Sequence, residues 1–180
     1  EGFFDASIDA ALFSNFAAKD QLLTIASNSA VGSPAYFYKA GQFEYKFNGQ
    51  VGEMFSYSAS ASPTKANLIR GTLFTNGVGS FGGNSAVQQL GEVPSGGTLV
   101  MALHVFSASG TSPTLDINLR SDDNAGFSSP TTRISTVQAT GIGSQLLTLA
   151  GPITDTYWRH TYTIGGTGPS FGFAVVVAII

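Results

Sequence analysis

Apolar residues that alternate with polar ones constrain this chain more than any other feature of its sequence. Between Phe55 and Ala61 the apolar side chains occupy the odd positions and serines occupy the even ones. Leu115, Ile117 and Leu119 alternate with polar residues in the same way. A period of two is typical of a strand that buries one face. The sequence therefore predicts that most of the chain from Leu22 onward forms β strands.

Turn-forming residues separate these runs at intervals of about ten residues, which is typical of an antiparallel β-sandwich or barrel. We predict such a fold as a single domain over residues 1–180. The further strands predicted are Ala35–Lys39, Gln42–Phe47, Asn67–Thr75, Arg133–Gln138, Gln145–Leu149 and Tyr157–Thr163. The predicted turns are Ala40-Gly41, Asn48-Gly49, Asn76-Gly77, Pro94 to Gly97, Ser109-Gly110 and Gly165-Gly166.

Two segments are apolar on both faces. Leu99–Phe106 is interrupted only by His104, and the last strand, from Phe171 to Ile180, is apolar at nearly every position. A strand of this kind is buried on both sides, either by a second sheet or by a neighbouring subunit. The sequence leaves these two alternatives open.

The first twenty residues follow a different period. Phe4, Ile8, Leu12 and Phe16 repeat every four residues, with alanines between them. This pattern predicts a short amphipathic helix in segment 1–20. The segment Gly77–Gly91 is the richest in glycine, serine and asparagine, and we predict a long loop or arm there.

Charged residues make up only 11% of the chain, less than half of the usual quarter. Surfaces that contact partners are depleted in charge, so this shortage favours a subunit of an assembly over a free monomer. The net charge is −3 and the basic residues are scattered singly, which predicts no nucleic-acid-binding face. The longest apolar run, Phe173–Ile180, is far shorter than the roughly 20 residues of a membrane-spanning helix. We predict no membrane insertion.

The sequence contains no strong motif for a catalytic or metal-binding site. The two histidines, His104 and His160, lack the spacing of metal ligands, and we interpret them as structural. No serine lies in a nucleophile elbow, and cysteine is absent. We therefore predict a protein that is not an enzyme and has no cofactor, metal site or catalytic residue.

Three local patterns have a weak functional interpretation and a stronger structural one. Gly77 to Gly82 matches G-x-G-x-x-G, but no helix pattern follows it. Ser121 to Gly126 faintly resembles a calcium loop, yet Arg133 stands where the last carboxylate ligand would be, so a polar turn is the better interpretation. Tyr157, Trp158 and Tyr162 form either a sugar-stacking platform or, more commonly in a sandwich, buried or interface aromatics.

Several strand and turn segments resemble structural proteins of long-tailed bacteriophages. The similarity spans residues 32–180, and the segments that carry it are Gly32–Tyr38, Gln50–Tyr57, Leu68–Phe74, Leu103–Thr111, Leu115–Asn124, Thr156–Arg159 and Gly165–Phe171. Among phage virion proteins, the chain is most similar to tail tube (major tail) proteins. That resemblance implies a β-sandwich with a flanking helix, and six copies forming rings that stack into a tube.

The resemblance also implies partners and a location. The partners would be further copies of the chain, other phage tail proteins, and DNA as transient cargo of the lumen, in a virion assembled in the host cytoplasm. The residues we predict at the subunit interface are Gly77, Val78, Phe81, Val175, Val177 and Ile179. Two alternatives remain: a capsid decoration or cement protein, and a carbohydrate-binding sandwich of a tail fibre.

Overall fold

A computed structural model describes residues 2–3, 21–48, 56–63 and 68–180. Every regular element in these ranges is a β strand, and the strands pair antiparallel, which confirms the predicted all-β fold class. The helix predicted in segment 1–20 falls on residues outside the described ranges, except that Gly2–Phe3 is a short strand. The strands are β1 Gly2–Phe3, β2 Gln21–Ala26, β3 Pro34–Asn48, β4 Ser56–Pro63, β5 Ile69–Gly79, β6 Gly83–Asn84, β7 Gln88–Gln89, β8 Thr98–Asp122, β9 Thr131–Ser135, β10 Gly143–Ala150 and β11 Tyr157–Ile179.

The chain divides into two compact units. The smaller unit consists of Glu1–Thr24 and Phe37–Leu68, and the larger one of Ile25–Tyr36 and Ile69–Ile180. In the smaller unit β4 pairs antiparallel with β1 and with β3. The turn predicted at Ala40-Gly41 is a register shift inside one continuous strand, β3, so the chain does not reverse there.

Two long strands, β8 and β11, form the frame of the larger unit. They pair antiparallel from Leu99 opposite Ile179 to Asp122 opposite Tyr157. Near the Leu99 end β5 flanks β11 and β10 flanks β8. Near the other end β9 flanks β8, and β6 and β7 pair with β11. Each long strand therefore has different neighbours along its two halves.

The long pair folds back on itself at its centre. His160 and Phe173 are thirteen positions apart on β11, and thirteen residues of straight strand span roughly 40 Å. Their ring centroids are nevertheless 6.4 Å apart. The register shifts between Gly165 and Ser170, and Gly110 and Gly166 have φ of 109° and 112°. The turns predicted at Ser109-Gly110 and Gly165-Gly166 are therefore bends within continuous strands.

The two halves enclose one hydrophobic core. The alternate residues of β8 from Leu99 to Val105 and from Leu115 to Leu119 line it, together with the odd-numbered residues of β11 from Phe171 to Val177. Trp158 is fully buried in the same core, and its indole N–H donates to the Gly91 carbonyl at 2.9 Å. Two apolar faces that close on each other in this way make the sandwich that the period-two pattern predicts.

The opposite face of the same strand halves is also buried. Val100 and Ala102 on β8 and Val176 and Ala178 on β11 are at most 3% exposed. These values refer to one copy of the chain, so no neighbouring subunit is needed to cover these four residues. Of the two alternatives left open by the sequence, a second sheet or a neighbouring subunit, the second is not required for these four residues.

The segment Gly77–Gly91 is held along β11. The predicted turn Asn76-Gly77 lies inside β5, where Gly77 pairs with Phe173. After the strand ends, β6 and β7 pair with β11, and the amide of Ser85 donates to the His160 carbonyl at 2.9 Å. The segment is thus a loop that is fastened at several points along its length.

Candidate assembly surface

Strand β10 forms an open edge of the larger unit. It pairs with β8 on one side, and the described part of the chain provides no strand on its other side. None of its eight residues is buried, whereas Leu99 to Leu103 of the neighbouring β8 are almost completely buried. The outer backbone N–H and C=O groups of an edge strand remain available to pair with another strand.

The edge lacks the features by which proteins usually protect such strands. Residues 134–154 contain no Asp, Glu, Lys or Arg, and β10 contains no proline and no bulge against β8. Lysine, proline and bulges are the common protections against edge-to-edge pairing. Val137 and Ile142, which precede the strand, are 74% and 76% exposed. The Gln145 side chain links β10 to the segment before it, because it accepts a hydrogen bond from the Val137 amide and donates one to the Val137 carbonyl.

A small cavity opens beside the start of β10. Its volume is about 260 Å³, and it is lined by Leu103, Val105 and residues 139–145. No residue of this lining is charged. We call it the Gly143 pocket, after the residue that pairs with Val105 at its rim.

Phe81 is the most exposed large apolar residue of the described chain, at 84%. It lies in the loop between β5 and β6, and Val78, at the end of β5, is 71% exposed. Both belong to a second segment without Asp, Glu, Lys or Arg, residues 71–91. Of the residues predicted at a subunit interface, Gly77, Val78 and Phe81 therefore lie in an uncharged surface segment.

The other predicted interface residues lie elsewhere. Val175 and Val177 are fully buried in the core, and the partly buried Ile179 packs against that core. Their apolar character is accounted for by the fold of a single chain. Val175 and Val177 are covered within one chain, whereas Ile179 remains partly exposed.

Phe106 adds an exposed aromatic ring to the surface of the larger unit. It lies at a register shift between β8 and β11, where one extra β8 residue is inserted opposite Gly172 and Phe173. Its ring covers Gly172, so a side chain at Gly172 would collide with it and with the Ser107 hydroxyl. Phe106 remains 49% exposed. Leu103 and Val105 hold odd positions of β8 and face the core, so the even position of Phe106 in the sequence indicates that its side chain faces away from the core.

The acidic turn after β8 satisfies its own polar groups. The Asp122 carboxylate accepts from the amides of Asn124 and Ser129, and the Asn124 side chain accepts from the Gly126 amide. Such side-chain-to-backbone bonds are typical of turns. The described residues contain no group of three or more His, Cys, Asp or Glu that could hold a metal ion. The geometry of this segment is that of the predicted polar turn.

A second polar cluster connects two strands, β8 and β9, with the loop that precedes β11. Arg133 on β9 donates to Asp155 at 2.8 Å and to the Ser121 hydroxyl at 2.7 Å, and Ser121 donates to Asp155 at 2.6 Å. The hydrogen bond from Ser121, followed by the one from Arg133, lowers the pKa of Asp155. The cluster holds the 151–156 segment against β8 and β9, and every member has a partner within it.

His160 is buried against Thr75. Its Nε2 is 2.7 Å from the Thr75 hydroxyl, which itself donates to the Phe74 carbonyl at 2.8 Å. We assign Nε2–H as the donor to the Thr75 oxygen, because a hydrogen on Nδ1 would be a buried donor with no partner among the described residues. Nδ1 then has no hydrogen and no partner among the described residues. Burial lowers the pKa of His160 to about 4, and burial also lowers the pKa of His104.

Of the three aromatic residues considered as a sugar-stacking platform, Trp158 is not available for stacking. Trp158 is fully buried, and Tyr162 packs edge-on against Phe173 at 5.2 Å. A sugar ring stacks on an exposed aromatic face, which Trp158 does not offer. The more common interpretation, aromatic residues inside a sandwich, describes these two side chains.

Comparisons with known proteins give no family. No family model matches the sequence, and no curated protein matches it. Among solved structures, a similar chain is TmCBM61 in complex with β-1,4-galactotriose, with 12% identity and a TM-score of 0.35. The match covers 66% of this chain and 73% of that one. A similarity at this level carries no argument about the function of this protein. In the described ranges, no helix is long and apolar enough to cross a membrane.

Proposed function

We propose that this chain is a structural subunit of a bacteriophage virion that assembles with copies of itself, and that its place is the tail tube. The observation that carries this proposal is the open, uncharged edge of β10. An unprotected edge strand is a template for pairing with another chain. In a tail tube, copies arranged as hexameric rings and stacked would cover this edge, and DNA would pass through the lumen.

The distribution of charge supports the same proposal. Residues 71–91 and 134–154 are free of Asp, Glu, Lys and Arg, and they carry the most exposed apolar side chains, Phe81 and Ile142. A soluble monomer usually keeps such residues scattered among charges. Depletion of charge together with exposed apolar side chains is typical of the centre of a protein interface.

The experiment is to compare the purified chain with a Thr148→Lys variant by mass photometry and negative-stain electron microscopy. Thr148 is an exposed residue of β10, so a lysine there places a charge on the edge without entering the core. Ser128→Lys is the matched control. It introduces the same charge at an exposed position of the turn after β8, outside β10 and outside residues 71–91.

We expect rings or tubes from the unmodified chain and from Ser128→Lys, and monomers from Thr148→Lys. A chain that stays monomeric at high concentration would contradict the proposal. Globular trimers would favour a capsid decoration protein, and specific glycan binding by a monomer would favour the carbohydrate-binding alternative. Normal tubes from Thr148→Lys would show that the β10 edge is not the contact.

A further inference from the structure

Two arginines face each other across the long strand pair. Arg120 on β8 is directly opposite Arg159 on β11. Residues directly opposite each other on antiparallel strands project to the same face, with Cβ atoms about 4.5–5.5 Å apart, and like charges in this position are destabilising. The two positions are far apart in the sequence, so the pairing of β8 with β11 is what brings the two cations together.

The turn after β8 holds both side chains. The guanidinium group of Arg159 lies over the Phe127 ring, with Cζ 4.3 Å from the ring centroid. A terminal nitrogen of Arg120 donates to the Pro130 carbonyl at 3.1 Å. Phe127 and Pro130 belong to the same turn, so both guanidinium groups are directed toward it. Stacking on an aromatic ring fixes the plane of a guanidinium group, while its N–H groups, which lie in that plane, can still donate.

The hydrogen-bonding capacity of these two side chains is largely unused. A guanidinium group carries several N–H donors, and Arg159 donates none of them to a residue that the structure describes. The Nε atoms of Arg120 and Arg159 are both buried without a partner in that part of the chain. Buried polar atoms are nearly always paired, and an exception calls for an explanation such as a bound ion.

No carboxylate neutralises the arginine pair. Within the described ranges, neither arginine forms an ion pair. Asp122 lies two positions from Arg120 on β8, but its two oxygens each accept from a backbone amide of the turn. Asp155 is paired with Arg133. The two neighbouring positive charges are therefore left without a partner of opposite sign.

We infer that Arg120 and Arg159 together bind a doubly charged tetrahedral oxyanion, phosphate or sulfate. Two cations without a partner match an anion with two negative charges, and the planar fork of an arginine matches a pair of oxygens on such an anion. The contacts with Phe127 and Pro130 hold both side chains in place, so that little side-chain freedom is lost on binding. The site uses neither the β10 edge nor Phe81, and it does not depend on the proposed function.

Isothermal titration calorimetry with the full chain tests the site. Inorganic phosphate and sulfate are titrated against a chloride buffer of the same ionic strength, because salt screens exposed charges. Arg120→Gln and Arg159→Gln each remove one cation of the pair. Arg70→Gln is the matched control, since it makes the same change at an exposed position of β5. Urea unfolding shows beforehand that each variant is folded.

We expect saturable binding of both anions by the unmodified chain and by Arg70→Gln. Arg120→Gln and Arg159→Gln should each lower the affinity by about tenfold or more. Acetate, with a single charge, should bind more weakly than sulfate, and equally tight binding would contradict the assignment of a doubly charged anion. Glycerol 3-phosphate distinguishes the sources of the anion. Equal affinity for it and for phosphate indicates a free anion, tighter binding indicates the phosphate group of a larger molecule, and both results support the site.

Arg159→Lys keeps the inference testable if a glutamine variant does not fold. It retains the charge and the aliphatic stem but loses the planar fork, so it should bind sulfate several-fold more weakly. Sulfate should also raise the urea midpoint of the unmodified chain more than that of the Arg159 variants, since a ligand of the folded state stabilises it. No saturable binding of either anion, or equal affinity in the Arg159 and Arg70 variants, would overturn the inference. Rings or tubes that form in either case would leave the proposed function intact.

Discussion

Lowering the pH from 7 to 5 should destabilise the larger unit through His160. With Nε2–H assigned as the donor to Thr75, Nδ1 is buried with no hydrogen-bond partner among the described residues, and the ring neighbours Phe74, Tyr162 and Phe173 are uncharged. Protonation would place a cation in this surrounding, where none of these neighbours carries a compensating negative charge. We therefore expect the folded chain to resist protonation of His160 while the unfolded chain accepts it.

The magnitude follows from the two pKa values of His160. The pKa is about 6.5 in an unfolded chain and is lowered by burial to about 4 in the folded one. Between these values the unfolded state binds more protons, so the free energy of unfolding falls as the pH falls. The loss between pH 7 and pH 5 is about 2 kcal/mol. Below a pH of about 4 both states are protonated and the loss from this residue stops.

Urea unfolding followed by Trp158 fluorescence is the assay. The chain has one tryptophan, and it lies two positions before His160 on the same strand, so its signal reports on the larger unit. The comparison is with His160→Gln, which keeps a donor toward Thr75 but does not titrate. His104→Gln is the control for the other histidine, whose pKa burial also lowers. Equal losses between pH 7 and pH 5 in the unmodified chain and in His160→Gln would refute the reasoning.

Two further substitutions test the packing that positions the candidate surface. Asp155→Asn weakens the cluster with Ser121 and Arg133 and should lower the free energy of unfolding by about 1–3 kcal/mol, whereas Asp116→Asn, in an exposed pair with Gln138, should cost about 0.5 kcal/mol or less. Equal costs in urea titrations would show that the cluster carries no stability. Gly172→Ala should cost about 1–3 kcal/mol because it displaces the Phe106 ring, and Gly143→Ala should be nearly neutral. A neutral Gly172→Ala in thermal unfolding would contradict the described packing of Phe106.

The strands were predictable because their pattern has one dominant cause. Burial of one face imposes a period of two, and the pattern from Leu115 to Leu119 or from Phe171 to Val177 reflects that cause directly. The bends were not predictable for an equally physical reason. Gly110 and Gly166 are as suitable for a bend in a continuous strand as for a chain reversal, and only the pairing of β8 with β11 along its whole length decides between them.

The candidate surface was predictable only in part. The exposure of Val78 and Phe81 agrees with their position in a segment rich in glycine and serine. Val175 and Val177 have the same apolar character, but a sequence does not tell which apolar strand lies in the core and which at an edge. The edge position of β10 depends on sheet order, which is a long-range property. The absence of charge between Arg133 and Asp155 was the one local signal of it.

Burial of the apolar strand faces does not account for the low content of charged residues, because one chain buries these faces by itself. Read from the sequence, the shortage of charge implied that neighbouring subunits cover the apolar faces, yet Val100, Ala102, Val176 and Ala178 are covered within one chain. Assembly is therefore favoured only by what one chain leaves uncovered, namely the β10 edge and Phe81. An edge without charge or proline tends to associate, so a lone chain should not stay monomeric when concentrated. If the chain stays monomeric, and Phe81→Ser does not change its oligomeric state, then no partner is needed to explain the low content of charged residues. The surface is then that of a sandwich covered with serine, threonine and glycine.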